Sequence, residues 1–107
     1  MPRSIPTILK ALPKVENIQG PNGAVRNQIV ITTQDCRIFK SYDSIVAVKM
    51  TDGTGRVILN EETWDFSSTT NRWRGWFLGE GRAETLKKIR SGEYRLARLD
   101  APMGGTR

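Results

Sequence analysis

The chain has no histidine and a single cysteine, Cys36, in 107 residues. Without imidazole, no mechanism can rest on an in-chain histidine base. Zinc sites built from cysteine and histidine are excluded with it. One cysteine cannot close an internal disulfide, so the fold must hold by its core alone. Long apolar runs are also missing. No stretch approaches the roughly 18 residues that a spanning helix requires. The opening "MPRSIPTILKALPK" lacks the apolar centre and small-residue cleavage site of a secretory signal. The expectation is a cytoplasmic protein with no membrane partner. Aromatic residues make up only 7%, yet all three tryptophans fall within "WDFSSTTNRWRGW", Trp64 to Trp76.

What is present suffices for one folded domain. Hydrophobic content of 37% and charged content of 26% lie in the globular range, and the length is that of a single domain. The net charge of +6 is concentrated late in the chain. Arg82, Lys87, Lys88, Arg90, Arg95, Arg98 and Arg107 outnumber Glu84, Glu93 and Asp100 there. A solvated basic face is the ordinary meaning of such a run, and a polyanion-binding face the sharper one.

Residues 1–23 carry Pro2, Pro6, Pro13 and Pro21 and end in "GPNG". They read as an N-terminal arm, partly flexible, with one helical turn around Ile8–Leu12. The period then becomes two. Val25–Thr33, Cys36–Tyr42, Ser44–Met50 and Arg56–Asn60 alternate and are rich in β-branched residues, and "TDGTG" supplies a hairpin turn. After Asn60 the period becomes 3.6. A helix is predicted over Ser68–Leu78, with Thr69, Thr70, Trp73, Trp76 and Phe77 on one face and Arg72 and Arg74 flanking them. Asp65, Ser67 and Ser68 are candidate caps, and Gly79 suits the C-terminal position. A second helix follows over Arg82–Ser91, ended by Gly92, and Glu93–Leu99 alternates again. The order ββββααβ gives an α+β domain over residues 24–100. Its sheet is antiparallel, with four to five strands, and two short helices pack on one face. Residues 101–107 form a flexible tail. Whether the last strand lies at an edge or inside the sheet is left open.

The tryptophan-rich segment admits four readings. As a catalytic site its hydroxyls have no histidine base and no nucleophile elbow, so no enzyme is expected. As a phosphate site it has a helix N-terminus, but Asp65 opposes anions and no glycine-rich loop precedes it. As core, Trp73, Trp76 and Phe77 fill the interior. As a partner surface, tryptophan beside arginine has the composition of an interface hot spot, and any exposed members of Arg72, Trp73, Arg74 and Trp76 are the candidates. Arg82, Lys87, Lys88, Arg90, Arg95 and Arg98 are the candidates for nucleic acid, though only Tyr94 supplies aromatic interleaving. No cofactor and no metal is expected.

Three segments carry a resemblance: "FKSYDSIVAV" (Phe39–Val48), "WDFSSTTNRWRGWFLGE" (Trp64–Glu80) and "TLKKIRSGEYRLARL" (Thr85–Leu99). Together they resemble a widespread family of small uncharacterised bacteriophage and prophage proteins. In that family an SY strand is paired with a W-D-[YF]-S-x-T-T segment and an F-L-G turn. Trp73, Arg74 and Trp76 depart from the pattern, and the first 23 residues lie outside it. The resemblance implies a phage origin, hence the host cytoplasm, and a fold, but no activity. The expected function is a non-enzymatic accessory protein that binds a host macromolecule, a host protein foremost. Nucleic-acid binding and self-association are the alternatives.

Overall fold

The computed structural model describes residues 13–99. The helical turn expected near Ile8–Leu12 and the tail expected over 101–107 lie outside these residues. The elements are β1 (Lys14–Gly20), β2 (Gly23–Thr32), β3 (Cys36–Ser41), β4 (Ser44–Met50), β5 (Val57–Asn60), α1 (Ser68–Leu78), α2 (Arg82–Ser91) and β6 (Tyr94–Ala97). The protein is α+β, with two helices beside one six-stranded sheet in the order β1-β2-β3-β4-β5-β6.

Two features correct the predicted sheet. It has six strands, and it is mixed. The extra strand, β1, comes from residues expected to form the arm. It pairs antiparallel with β2, from Lys14 opposite Thr32 to Gly20 opposite Gly23. The register shifts between Asn17 and Gln19. The extra residues lie on β2, where Val25–Gln28 stand against Ile18 alone, and Ile18 is buried at 2% exposure. The last strand takes the edge beside β5 and runs parallel to it, Val57 opposite Tyr94 and Asn60 opposite Ala97. The two helices return the chain to the end of the sheet where β5 began. They thus supply the crossover that a parallel pair needs.

Both helices have the predicted bounds, and each has a local cause. Ser67 is extended, and its Oγ accepts from the Thr70 N–H at 3.1 Å, which satisfies one of the first free donors of α1. Ser67 is therefore the cap. Asp65 and Ser68 do not cap α1, and Asp65 is engaged elsewhere. Gly79 closes α1 in the left-handed conformation (φ 77), where its N–H donates to the Gly75 carbonyl.

The helices cover one sheet face. Cross-strand partners share a face, so Val30, Phe39, Ala47 and Leu59 form one continuous row. All four are buried, and Phe77 of α1 stacks on Phe39 with ring centroids 5.7 Å apart. Arg37 lies 5.4 Å over the Phe77 ring, and the Ser41 and Thr70 hydroxyls bond at 3.1 Å. On the opposite face the row Val15–Ile31–Ile38–Val48–Ile58 crosses five strands and ends at Arg95.

A candidate partner-binding surface

The buried stripe of α1 is Thr70, Trp73, Arg74 and Phe77. It is centred differently from the predicted one, which had Trp76 inside and Arg74 at the flank. Arg74 is 1% exposed and Trp76 is 49% exposed. Of the four candidate partner residues, Arg72 and Trp76 lie on the outer side of the helix, and Trp73 and Arg74 face inward.

Arg74 is held inside by three contacts. Its Nη1 donates to the Trp64 carbonyl and, at 2.8 Å, to Asn71 Oδ1. Its guanidinium lies 5.1 Å over the Trp64 ring. Burial pulls its pKa below the ordinary arginine range, and the Asp65 charge works against that fall. Asp65 forms a bidentate pair with Arg82 at 2.9 and 2.7 Å and accepts from Asn71 Nδ2 at 2.8 Å. The hydrogen bond from Arg82 holds the Asp65 carboxyl below the usual range. Trp64 therefore meets two arginines, with Arg82 at 5.8 Å.

Trp73 packs against the turn between β1 and β2. A Cβ on Gly20 would stand 3.1 Å from the Trp73 ring and 3.0 Å from Val25, so a larger residue there would make those side chains give way by a few tenths of an ångström. Arg72 lies 4.8 Å over the outer side of the same ring and makes no ion pair among the described residues. Gln19, Gly20, Pro21, Arg72, Trp73 and Trp76 line one open concavity. Because Arg72 and Trp76 are four residues apart on a capped helix, they stand side by side on a rigid element.

The basic candidates are divided. Arg82 pairs with Asp65 at 2.7 Å, Lys88 with Glu80 at 2.8 Å and Arg98 with Glu62 at 3.0 Å. Lys87, Arg90 and Arg95 are exposed and make no ion pair among the described residues. The Glu80 site is a closed network. One oxygen accepts from Lys88 Nζ at 2.8 Å and the Tyr94 hydroxyl at 2.9 Å, the other from Thr85 Oγ1 at 2.6 Å. Burial works to raise the Glu80 pKa, but the bonds from Lys88, Thr85 and Tyr94 together hold it below its ordinary value. Burial and the Glu80 bond push Tyr94 up to about 12. Every polar atom of this network points at another member, so its geometry is that of a clamp between α2 and β6.

Two aromatic residues were missed by sequence reasoning. Tyr42 and Phe66 are exposed on either side of a small pocket lined also by Ser41, Ser44, Val46, Thr63 and Thr70. The signal for them was available. "SYDS" and "WDFSSTT" are the two densest hydroxyl segments, and the Ser41–Thr70 bond joins them.

A family of unknown function, DUF8033, matches residues 14–93. The chain belongs to this family. The matched region opens on the first residue of β1 and closes one residue before β6, so it takes in five strands and both helices. No curated protein and no solved structure matches the chain.

Proposed function

We propose that this protein is a non-catalytic phage accessory protein that binds a host protein through Trp76 and Arg72. The observation that carries the reading is the half-exposed Trp76 beside Arg72, fixed on a capped helix and backed by buried Trp73. Tryptophan and arginine at a rigid, partly concave site are the residue types on which interface energy concentrates. A large aromatic already held in one place costs little further ordering on binding. With a net charge of +6 and Arg72 making no ion pair among the described residues, the fitting partner is a protein surface that presents carboxylates around an apolar notch. The phage origin rests on the sequence resemblance alone.

The test is affinity capture from host lysate with wild type, Trp76→Ala and Arg72→Ala, each checked for unchanged thermal stability. A partner held by wild type and lost by both variants supports the reading. Equal capture by all three removes it, and so does a nuclease-sensitive capture that follows Lys87, Arg90 and Arg95 instead.

A further inference from the structure

The outer edge of β1 pairs with no strand among the described residues. Which of its main-chain groups point outward follows from β2. In an antiparallel ladder each residue turns its N–H and its C=O to the same neighbour, and successive residues alternate between neighbours. The Thr33 N–H donates to the Cys36 carbonyl at 2.8 Å, and the Tyr42 N–H to the Asn27 carbonyl at 2.7 Å. From Asn27 to Thr33 the odd-numbered residues therefore bond to β3, and Val30 and Thr32 turn to β1. Their partners on β1 are Glu16 and Lys14. Val15 and Asn17 are thus the residues that direct N–H and C=O away from the sheet. An open edge is commonly guarded by charge, lysine above all. Here Lys14 and Glu16 carry opposite signs on either side of Val15, which is 62% exposed.

We propose that this edge receives the same edge of a second copy of the chain, antiparallel about a two-fold axis at Val15. Three registers join outward-facing groups to outward-facing groups. With Asn17 on the axis, Glu16 faces Ile18 and Lys14 faces Gly20, so neither charge meets its opposite. With Glu16 on the axis, two carboxylates stand against each other. With Val15 on the axis, Lys14 of each copy stands opposite Glu16 of the other, in the pairs whose side chains approach most closely. The two Val15 residues exchange both main-chain bonds. Pro13, with no N–H to offer, presents its carbonyl to the Asn17 N–H of the other copy. The aliphatic row Val15–Ile31–Ile38–Val48–Ile58 then continues across the axis into the same row of the second copy. The contact is self-complementary, as a two-fold interface must be. It is also small and bordered by exposed charges, so the dimer forms only as concentration rises and weakens with salt. This edge is separate from the Trp76 site, whose β1 residues start at Gln19.

Sedimentation velocity of the full chain, over rising concentration at low salt, tests the pairing. Wild type is expected to pass from monomer to dimer. Glu16→Lys alone and Lys14→Glu alone should each stay monomeric, because like charges then face each other across the axis. An equimolar mixture of these two variants should form a heterodimer, and the double exchange Lys14→Glu, Glu16→Lys should dimerise as wild type does. Val15→Pro should keep the fold, since the N–H it removes serves no bond to β2, and should abolish the dimer. Wild type that stays monomeric throughout overturns the inference. So does a dimer that survives Glu16→Lys or Val15→Pro, or a pair of single variants that remain apart when mixed.

Discussion

The Arg74 guanidinium lies 5.1 Å over the ring of Trp64 and donates to that residue's own backbone carbonyl. One side chain thus fixes both the ring and the main chain just ahead of α1. Replacing Arg74 by Met keeps the apolar stem and leaves the Trp64 carbonyl and Asn71 Oδ1 without their donor. A buried acceptor left unpaired costs on the order of 1–3 kcal/mol, so a loss of about 2 kcal/mol is expected. Lysine should not restore it, because a point charge cannot stack and fork at once. Urea unfolding of the three proteins decides the matter. An Arg74→Met midpoint equal to wild type would refute this role.

Acid stability should depend on Glu80. Its folded pKa lies below the ordinary 4.5, so its contribution is present above that pH and is lost as pH falls through the folded value. Glu80→Gln should cost about 2 kcal/mol at neutral pH and flatten the acid limb of the stability curve. Tyr94 carries the opposite sign. Its folded pKa of about 12 exceeds the ordinary 10.0, so its contribution holds below pH 10 and fades as pH rises toward 12. Denaturant midpoints measured across pH test both limbs. A Glu80→Gln curve parallel to wild type in acid would contradict the assignment.

Much of this architecture was legible because local chemistry and tertiary packing agree. A serine before "STTNRW", glycines at positions 79 and 92 and a change of period at Asn60 bound α1 and α2 where the structure has them. The misreadings come from places where one physical effect hid another. Val15 and Ile18 are three residues apart and so face opposite sides of β1, which leaves the strand without an alternation to read. The direction of β6 depends on where two helices deliver the chain, which no single segment encodes. In α1, helical spacing puts Trp76 on the apolar face and Arg74 at its flank, whereas the structure buries Arg74 and exposes Trp76. Trp64, just ahead of the helix, draws Arg74 inward by stacking on its guanidinium and accepting from it. Phe66, one residue before the Ser67 cap, is 74% exposed, and no periodic pattern extends to it.

Gln28 is fully buried at a position opposite Ser41, and neither atom of its amide has a hydrogen-bond partner among the described residues. Burying an amide without partners opposes folding, whereas an apolar side chain of similar shape carries no such penalty. Gln28→Met should therefore raise stability by about 1 kcal/mol. Thermal unfolding of the full chain checks it. A fall of similar size would show that the amide is satisfied.

The three tryptophans should separate cleanly by quenching, and the separation bears directly on the proposed surface. Trp73 is 8% exposed and shielded by Gly20 on one side and Arg72 on the other. Trp64 is half-buried beneath Arg74 and Arg82. Trp76 alone has about half its surface in water. Acrylamide should therefore quench a red-shifted component that disappears in Trp76→Phe and persists in Trp73→Phe. If Trp76 is where a partner docks, saturating partner should remove that component from wild type and shift the emission to the blue. Partner binding that leaves the accessible component unchanged would place the interface elsewhere, even if Trp76→Ala weakens capture.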